Sequence, residues 1–284
     1  MSKVAVVGLG AMGRAIATRL LATGHDVVVW NRSPGAVAGA VAEGAVPAAT
    51  PAEAAGQAEF VLTMVADPAA LVAVTDGPQG ILAGATAGSA LLQMATVGPE
   101  PVLALARRMP AHVDLVDCPV LGSISEATEG TLAVFVGGDP ERARPVLSSL
   151  GRVVPVGPIG AGSAAKLVAN STLFGVLGVL GEAVALGDGL GLPREATWEV
   201  LGASPLAAQA ERRRRPLEAG DPPLRFTLAL AGKDAGLVAE AAAGAGLTLP
   251  LAAAAQGWLR DAIAGGRGDD DYSAILAFIV DRTS

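Results

Sequence analysis

The segment VAVVGLGAMG near the N-terminus is the feature that most constrains the fold. Gly8, Gly10 and Gly13 form a Gly-x-Gly-x-x-Gly pattern between a valine-rich run and a helical pattern. In a βαβ unit the first glycine allows a tight turn, the second lets a pyrophosphate approach the backbone, and the third lets the helix pack closely on the strand. The turn therefore predicts a dinucleotide site at a helix N-terminus. The residues predicted to form it are Gly8, Leu9, Gly10, Ala11, Met12 and Gly13.

The chain up to about residue 160 alternates short valine-rich runs with helical patterns. Strands separated by helical segments are typical of a parallel sheet with helices on both faces. The runs interpreted as strands are KVAVVGL, DVVVW, AEFVLTMV, SALLQMA, HVDLVDCPV, GTLAVFVGG and GRVVPVG. The sequence therefore predicts an α/β fold that begins with a doubly wound parallel sheet.

The rest of the chain is helical in pattern. Ser163 is a suitable cap for a helix that runs to about Leu190. This helix is apolar nearly all round, since Glu182 and Asp188 are its only charges after Lys166, so it has to be covered on every side. We expect a second subunit to help cover it. Further helices are predicted near 194–203, 229–245, 249–264 and 272–282.

This change of pattern divides the chain into two predicted domains. Residues 1–161 form the dinucleotide-binding sheet domain. Residues 162–284 form an all-α domain for substrate binding and dimerisation, which the long interdomain helix joins to the first.

Composition and charge restrict the classes of partner. Hydrophobic residues make up 51% of the 284 residues, and the net charge of −7 argues against binding to nucleic acid, which needs a basic surface. The basic run Arg212–Arg215 is interpreted as a solvated helix end. The uncharged helical stretch Leu167–Gly181 is too short to cross a bilayer, and the N-terminus does not resemble a signal peptide. We expect a cytoplasmic protein that binds no membrane.

The single cysteine, Cys118, excludes an internal disulfide and a cysteine-based zinc site. It is interpreted as a packing residue, and it fits a reducing compartment. His25 is likewise interpreted as structural. No metal site is expected.

The end of the second predicted strand, VVVWNRS, bears on the choice of dinucleotide. An NAD site usually places an acid here to bind the ribose 2′-hydroxyl, whereas this chain has Asn31, Arg32 and Ser33. A guanidinium suits a 2′-phosphate. The sequence therefore favours NADP (NADPH) over NAD. The alternative interpretation of Arg32 is an ordinary surface-loop residue.

Lys166 lies near the start of the long apolar helix, four residues before Asn170. The two side chains share one helix face. Hydride transfer to a carbonyl leaves negative charge on oxygen, so such a site needs a proton donor, and a partly desolvated lysine is a good one. Asn170 would hold the amine or the substrate hydroxyl. The alternative is a lysine that reaches solvent from the first helical turn.

The motifs together resemble the β-hydroxyacid dehydrogenase family, which includes 3-hydroxyisobutyrate dehydrogenase and semialdehyde reductases. More distantly they resemble 6-phosphogluconate dehydrogenase and the imine reductases. The motifs occur in the family's order and are GLGAMG, DCPVLGS, EGTLAVFVGG, GPIGAGSAAKLVAN, KDAGL and DYSA. The resemblance implies a Rossmann domain, a long interdomain helix, a helical C-terminal domain, and a homodimer or homotetramer.

The resemblance also implies residue roles. Lys166 matches the catalytic lysine, the general acid/base, and Asn170 matches the substrate-binding asparagine. Lys233 and Asp234 match a pair that closes over cofactor and substrate. The remaining cofactor contacts implied are Met64, Val65, Ala66 and Thr96.

The chain departs from the family at the substrate-binding loop, which reads DCPVLGS instead of the usual DAPVSGG or DAPVSGS. Leu121 replaces a serine that helps to bind the substrate carboxylate. The N–H groups of Gly122 and Ser123, or the Ser123 hydroxyl, would then have to bind it. The residues predicted to bind substrate are Leu121, Gly122, Ser123, Asn170 and Lys233.

The sequence therefore predicts an NADP-dependent oxidoreductase. It would interconvert a small β-hydroxyacid-like alcohol and its aldehyde or ketone. Two alternatives stay open: an NADPH-dependent imine reductase, which the apolar Leu121 favours and Lys166 opposes, and a non-catalytic NADP-binding protein on the same fold.

Overall fold

The computed structural model describes residues 1–219 and 224–283 of the chain. These residues form two compact units, Met1–Lys166 and Leu167–Ser284. The first unit has a hydrophobic core on each face of its sheet, and the second unit has one of its own.

The first unit is built on a nine-stranded sheet, counted over the described residues. Its strands are β1 Lys3–Val7, β2 Asp26–Trp30, β3 Val46–Pro47, β4 Phe60–Thr63, β5 Ala90–Gln93, β6 Asp114–Asp117, β7 Val120–Leu121, β8 Leu132–Gly137 and β9 Gly151–Gly157. The order is β3-β2-β1-β4-β5-β6-β8-β7, and β9 pairs with β8. Strands β1 to β6 pair in parallel and their order reverses at β1, which confirms the predicted doubly wound sheet.

Two features of this sheet differ from the prediction. Strand β8 runs antiparallel to β6 and to β7, so the sheet is mixed at that end. Strands β3 and β7 have two residues each, which is too short to produce an alternating pattern in the sequence.

Helices cover both faces of the sheet. They are α1 Ala11–Ala22, α2 Gly35–Ala42, α3 Pro51–Gly56, α4 Pro68–Thr75, α5 Ile81–Gly84, α6 Pro99–Ala106, α7 Ile124–Glu129 and α8 Arg144–Leu150. The side chains of β1 alternate between the two cores: Val4 and Val6 pack on one face, Ala5 and Val7 on the other. A central parallel strand buried on both faces explains the continuous valine-rich run in the sequence.

The second unit contains only helices in its described residues. They are α9 Ala161–Gly189, which begins in the first unit, α10 Arg194–Gly202, α11 Ala207–Ala219, α12 Leu228–Gly244, α13 Pro250–Ala262 and α14 Ile275–Thr283. A π-helical turn, Ile263–Arg267, and a 3-10 turn, Tyr272–Ala274, precede α14. The predicted α-helical second domain and long helix are confirmed.

Helix α9 has 29 residues and is long and apolar enough to cross a membrane, as judged by length and composition alone. Of its most apolar 18-residue window, 44% is buried inside the structure. One side, with Phe174, Leu177 and Leu180, lies in the core of the second unit, as expected for a core helix. Side chains outside that core stay exposed within this chain, which leaves the predicted coverage on every side incomplete.

The prediction that Arg212–Arg215 is a solvated helix end is wrong, because the run lies in the middle of a helix and one of its residues is buried. The run lies in α11, where successive residues point in directions about 100° apart. Arg213 therefore faces the core and is buried, and its guanidinium donates a hydrogen bond of 2.5 Å to the Tyr272 hydroxyl.

Candidate active site

The glycine turn has the shape that its sequence predicts. Gly8 has a φ of +102°, which side chains rarely adopt, and a Cβ there would collide with the Met64 carbonyl group. A Cβ at Gly13 would collide with the Gly8 carbonyl oxygen. At Gly10, by contrast, no heavy atom from the described residues lies within 4 Å of the Cβ position. The turn therefore leaves open space above Gly10 for a ligand.

The N-terminus of α1 faces that open space. Gly10 is the N-cap and has no side chain to accept from the first helical N–H groups, which have no acceptor within the helix. These N–H groups and the positive end of the helix dipole suit a diphosphate. The described residues thus fit a dinucleotide at this turn.

The segment after β2 holds the neighbouring loop in place. The Leu9 N–H donates to Asn31 Oδ1 at 2.9 Å, and Asn31 Nδ2 donates to the Ser33 carbonyl oxygen at 3.0 Å. Asn31 therefore ties the glycine turn to the end of β2. Arg32 and Ser33 are exposed.

The other predicted cofactor residues follow the carboxyl ends of β4 and β5, on the edge of the sheet where β1 also ends. Met64 and Val65 are half-buried, Ala66 is exposed, and Thr96 is half-buried. In a doubly wound sheet this edge is where ligands bind. The structure therefore brings these residues to the same edge as the glycine turn.

Gln93, the last residue of β5, was not among the predicted site residues. It is fully buried and accepts hydrogen bonds from the Thr63 hydroxyl at 3.1 Å and the Ala95 N–H at 2.9 Å. Its own amide donates to the Ala95 carbonyl oxygen at 2.8 Å. Gln93 therefore fixes the turn that carries Thr96. A glutamine inside an apolar strand run was the available signal.

Leu121 is the last residue of β7, and Gly122 and Ser123 form the turn between that strand and α7. The Leu121 side chain is exposed at 37%, and Gly122 has a φ of +140°. The Ser123 N–H donates to Glu126 Oε2 at 2.9 Å, and the Ser123 hydroxyl donates to the same oxygen. Both donors of Ser123, which the sequence offered to a substrate anion, are thus used to cap α7.

Glu126 gives this loop a negative charge of its own. Partial burial raises the pKa of its carboxyl group, but hydrogen bonds from the side chain and backbone of Ser123 outweigh that effect and lower the pKa to about 2. Glu126 is therefore ionised at neutral pH. Glu126 was not predicted as part of this loop, although the Ser-x-x-Glu spacing of residues 123–126 is the sequence signature of a capping box.

Asp117, the last residue of β6, anchors the start of α9. It is fully buried, and its carboxylate accepts from the Ser163 N–H at 2.8 Å and from the Ser163 hydroxyl at 2.7 Å. Burial raises the pKa of Asp117, against the opposing effect of these bonds and of those from Gly160 and Gly162. The carboxylate lies at the positive end of the α9 dipole. It fixes the helix three residues before Lys166.

Cys118 follows Asp117 and is also fully buried. Burial raises the pKa of its thiol well above the usual value, and the Asp117 charge adds to this effect. A thiol with these properties is unreactive, in keeping with the predicted packing role.

The remaining predicted residues lie on α9 and α12. Lys166 is half-buried, and Asn170 lies one turn further along α9 with 2% of its surface exposed. Asn170 Nδ2 donates to Asp234 Oδ2 at 2.8 Å, and Lys233 Nζ lies 2.6 Å from Asp234 Oδ1. The second unit thus joins Asn170, Lys233 and Asp234 in one polar cluster. The predicted contacts of these residues with cofactor and substrate stay predictions.

The described part of the chain contains no group of three or more His, Cys, Asp or Glu residues placed to hold a metal ion.

Two family models match the chain in succession. Residues 3–159 match the NAD-binding domain of 6-phosphogluconate dehydrogenase, and residues 160–279 match the NAD-binding model of NADP-dependent 3-hydroxyisobutyrate dehydrogenase. The chain belongs to the β-hydroxyacid dehydrogenase family. It is accordingly an NAD(P)-dependent dehydrogenase or reductase that binds a pyridine nucleotide.

Full-length relatives agree with this membership of the β-hydroxyacid dehydrogenases. The 2-(hydroxymethyl)glutarate dehydrogenase of Eubacterium barkeri is 33% identical over 281 residues, which covers 96% of this chain and 93% of the relative. The 3-sulfolactaldehyde reductase of Escherichia coli (strain K12) is 32% identical over 283 residues, which covers 97% and 95%.

Solved structures give the same result. The 3-hydroxyisobutyrate dehydrogenase of Mycobacterium tuberculosis, determined with L-serine, has a TM-score of 0.86 and 30% identity, and the match covers 98% of this chain and 99% of that one. An imine reductase of Myxococcus stipitatus, in complex with NAD⁺, matches with a TM-score of 0.67 and 20% identity over 99% of both chains. The imine reductase shares the fold with this β-hydroxyacid dehydrogenase, and the likeness extends no further.

Proposed function

We propose that this enzyme uses NADPH to reduce a small aldehyde or ketone to a β-hydroxyacid-like alcohol, with Lys166 as the general acid. The pair of Lys166 and Asn170 carries the proposal, because it sets a half-buried amine one helical turn from a buried amide. The names of the relatives support it, since they describe two dehydrogenases and an aldehyde reductase.

The proposed reaction needs a hydride donor and a proton donor. When bound, NADPH supplies a hydride to the carbonyl carbon of the substrate and leaves as NADP⁺. The Lys166 ammonium donates a proton to the carbonyl oxygen as negative charge develops there, and the neutral amine takes that proton back in the oxidative direction. Asn170 positions the Lys166 amine beside that oxygen and accepts from the hydroxyl once it has formed.

The proposed preference for NADP over NAD rests on Arg32. It follows β2 at the position where an acid would bind the ribose 2′-hydroxyl of NAD, and its side chain is exposed. A guanidinium can form two charge-assisted hydrogen bonds with a 2′-phosphate. Asn31, which ties the turn to β2, and Ser33 add no negative charge that would repel the phosphate.

Replacing Arg32 with glutamate tests this preference. We expect the Kd for NADPH to rise roughly 10- to 100-fold, because a charge-assisted bond is lost and a repulsion is added. The Kd for NADH should stay the same or fall, because NADH has no 2′-phosphate and a glutamate at this position can accept from its ribose 2′-hydroxyl. Quenching of protein fluorescence or enhancement of nucleotide fluorescence measures both constants.

Arg107→Glu is the matched control for that variant. Arg107 is exposed, follows the C-terminal end of α6 and pairs with Glu100, so it lies away from the carboxyl edge of the sheet. An equal loss of NADPH affinity in both variants would show a general effect of charge and would remove the role proposed for Arg32.

The substrate-binding loop bears on the class of substrate. Because Glu126 occupies both donors of Ser123, the loop presents the apolar Leu121 side chain to a ligand. We infer that this loop contacts the carbon skeleton of the substrate and does not bind a carboxylate through Ser123. A substrate carboxylate, where present, would have to be bound by other groups.

A panel of substrates supplied with NADPH tests the reaction class. We expect turnover of small semialdehydes with a carboxylate or related group two carbons from the reacting carbon, followed as loss of NADPH absorbance. Aldehydes of equal length without the acidic group are the matched comparison, and cyclic imines form the third set. Turnover of imines alone would favour an imine reductase. Tight binding of NADPH with no turnover in any set would favour a non-catalytic binding protein.

One face of α9 bears on the oligomeric state of the enzyme. Exposed apolar side chains recur at spacings of 11, 7 and 4 residues along α9 and just past its end, which places them on one face. They are Val168, Val179, Leu186 and Leu190. We propose that this face is covered in a homodimer or homotetramer of a cytoplasmic enzyme. A solution mass equal to one chain, measured by light scattering, would overturn that assembly.

A further inference from the structure

Asp234 is the most deeply buried charged group of the polar cluster on α9 and α12. Asp234 and Asn170 each have 2% of their residue surface exposed. One carboxylate oxygen accepts a hydrogen bond of 2.8 Å from Asn170 Nδ2, and the other lies 2.6 Å from Lys233 Nζ. Both oxygens are therefore engaged within the second unit.

The chemistry of these groups determines how the Asn170 amide is turned. A carboxylate can only accept hydrogen bonds, whereas an asparagine side chain has a donor end and an acceptor end of nearly equal shape. Asp234 therefore attracts the NH₂ group and directs Oδ1 of Asn170 to the other side. A free asparagine amide would have no such preference.

The direction of Oδ1 matters because of what a reducing site contains. A lysine ammonium has donors only, and the alcohol that forms is also a donor. An acceptor beside them can hold both, whereas an NH₂ group would compete with them. Lys166 lies on the same face of α9, one turn before Asn170.

We propose that Asp234 is a positioning residue, which locks the Asn170 amide so that its carbonyl oxygen serves the reacting hydroxyl and the Lys166 amine. The inference rests on the proposed function. It gives Asp234 a role through Asn170, in place of a direct contact with the cofactor. A carboxylate buried this deeply needs a compensating positive charge, and Lys233 supplies it to Asp234.

The variant Asp234→Asn tests this role with almost no change in size. An amide at 234 offers both a donor and an acceptor, so the Asn170 amide can turn either way. We expect kcat to fall roughly 10- to 100-fold, as when an orienting partner is lost, while the Kd for NADPH stays within about twofold. An unchanged kcat would overturn the proposal.

A double-mutant cycle with Asn170→Ala separates positioning from a merely structural role. If Asp234 acts through Asn170, then Asp234→Asn lowers kcat less than about twofold in the Asn170→Ala background. Losses that multiply would overturn the proposal, since they would show an independent role. Unfolding midpoints of the same four proteins report whether each variant is folded.

Asn170→Asp provides a second variant should Asp234→Asn fail to fold. Two carboxylates at this distance share one proton at low pH, and the shared O–H bond then replaces the N–H bond of the native pair. We expect the variant to keep its kcat at low pH and to lose it as pH rises. This loss should be larger than any fall in the kcat of the unmodified enzyme over the same pH range. A profile parallel to that of the unmodified enzyme would overturn the proposal.

Failure of the proposed function gives a different result. An unmodified enzyme that turns over none of the panel substrates would overturn the proposed function and this inference with it. An unmodified enzyme that is active, with an Asp234→Asn variant equally active, overturns this inference alone.

Discussion

Replacing Lys166 with alanine is expected to lower kcat by about 10²- to 10⁴-fold, the usual contribution of a general acid. The alanine variant keeps the helix, because alanine is the best helix former, and it removes only the amine. We expect the Kd for NADPH to stay within about twofold, since the amine acts on the substrate oxygen and not on the nucleotide. Single-turnover kinetics and a nucleotide titration on the same preparation measure the two effects.

Lys166→Arg is the control for charge. A guanidinium keeps the positive charge but does not give up a proton near neutral pH, so this variant should be nearly as inactive as the alanine variant. Added methylamine should restore part of the activity of Lys166→Ala and none of that of Lys166→Arg. Full activity in the arginine variant would mean that the charge, and not proton transfer, is what matters at this position.

Two glycines of the nucleotide turn should respond in opposite ways to alanine. A methyl group at Gly13 collides with the Gly8 carbonyl oxygen, so α1 would have to move off the sheet. We expect Gly13→Ala to lower the free energy of unfolding by about 3 kcal/mol, the upper end for added groups in a packed site. That corresponds to a fall in Tm of roughly 6–12 °C for a chain of this size.

Gly10→Ala should leave the fold almost unchanged and weaken binding. Its backbone has a φ of −63°, which alanine adopts, and no described heavy atom lies within 4 Å of the new methyl group. The methyl would instead occupy the space through which a diphosphate approaches the helix. We expect the free energy of unfolding to change by less than about 1 kcal/mol and the Kd for NADPH to rise about 100-fold.

The contrast between these two variants is the decisive result, measured by thermal unfolding and by nucleotide titration. If Gly10→Ala bound NADPH as well as the unmodified protein, the diphosphate would not lie above this turn. If Gly13→Ala were as stable as Gly10→Ala, the result would show that α1 does not pack as tightly on the glycine turn as the structure indicates.

The parts of the fold that could be predicted are those with a local signature. The glycine spacing and the strand runs identified the doubly wound sheet, because each depends on a few neighbouring residues. The apolar run identified α9, but the predicted cap was wrong, because the helix already begins at Ala161 and Ser163 lies in its first turn. The extent of α11 was not predicted beyond the interpretation of its arginine run as a helix end, since its sequence shows no clear apolar stripe.

The site could be predicted only where a motif places it. Asp117 and Ser163 are 46 residues apart in sequence, and Asn170 and Asp234 are 64 apart, so neither pairing follows from any local pattern. The cap on α7 is local, but its effect on Ser123 was hidden, since the same serine is equally suited to bind a ligand. Tertiary contacts decide which partner a polar side chain takes.

Because Cys118 is buried, the rate at which its thiol reacts measures how often the first unit opens locally. The chain has one cysteine, and that thiol lies fully inside the first unit. An aromatic disulfide reagent can therefore react only when this part of the molecule transiently opens, and the labelling rate counts those openings. Because the second unit has no cysteine, the absorbance of the released reagent reports opening of the sheet unit alone. No engineered label is needed.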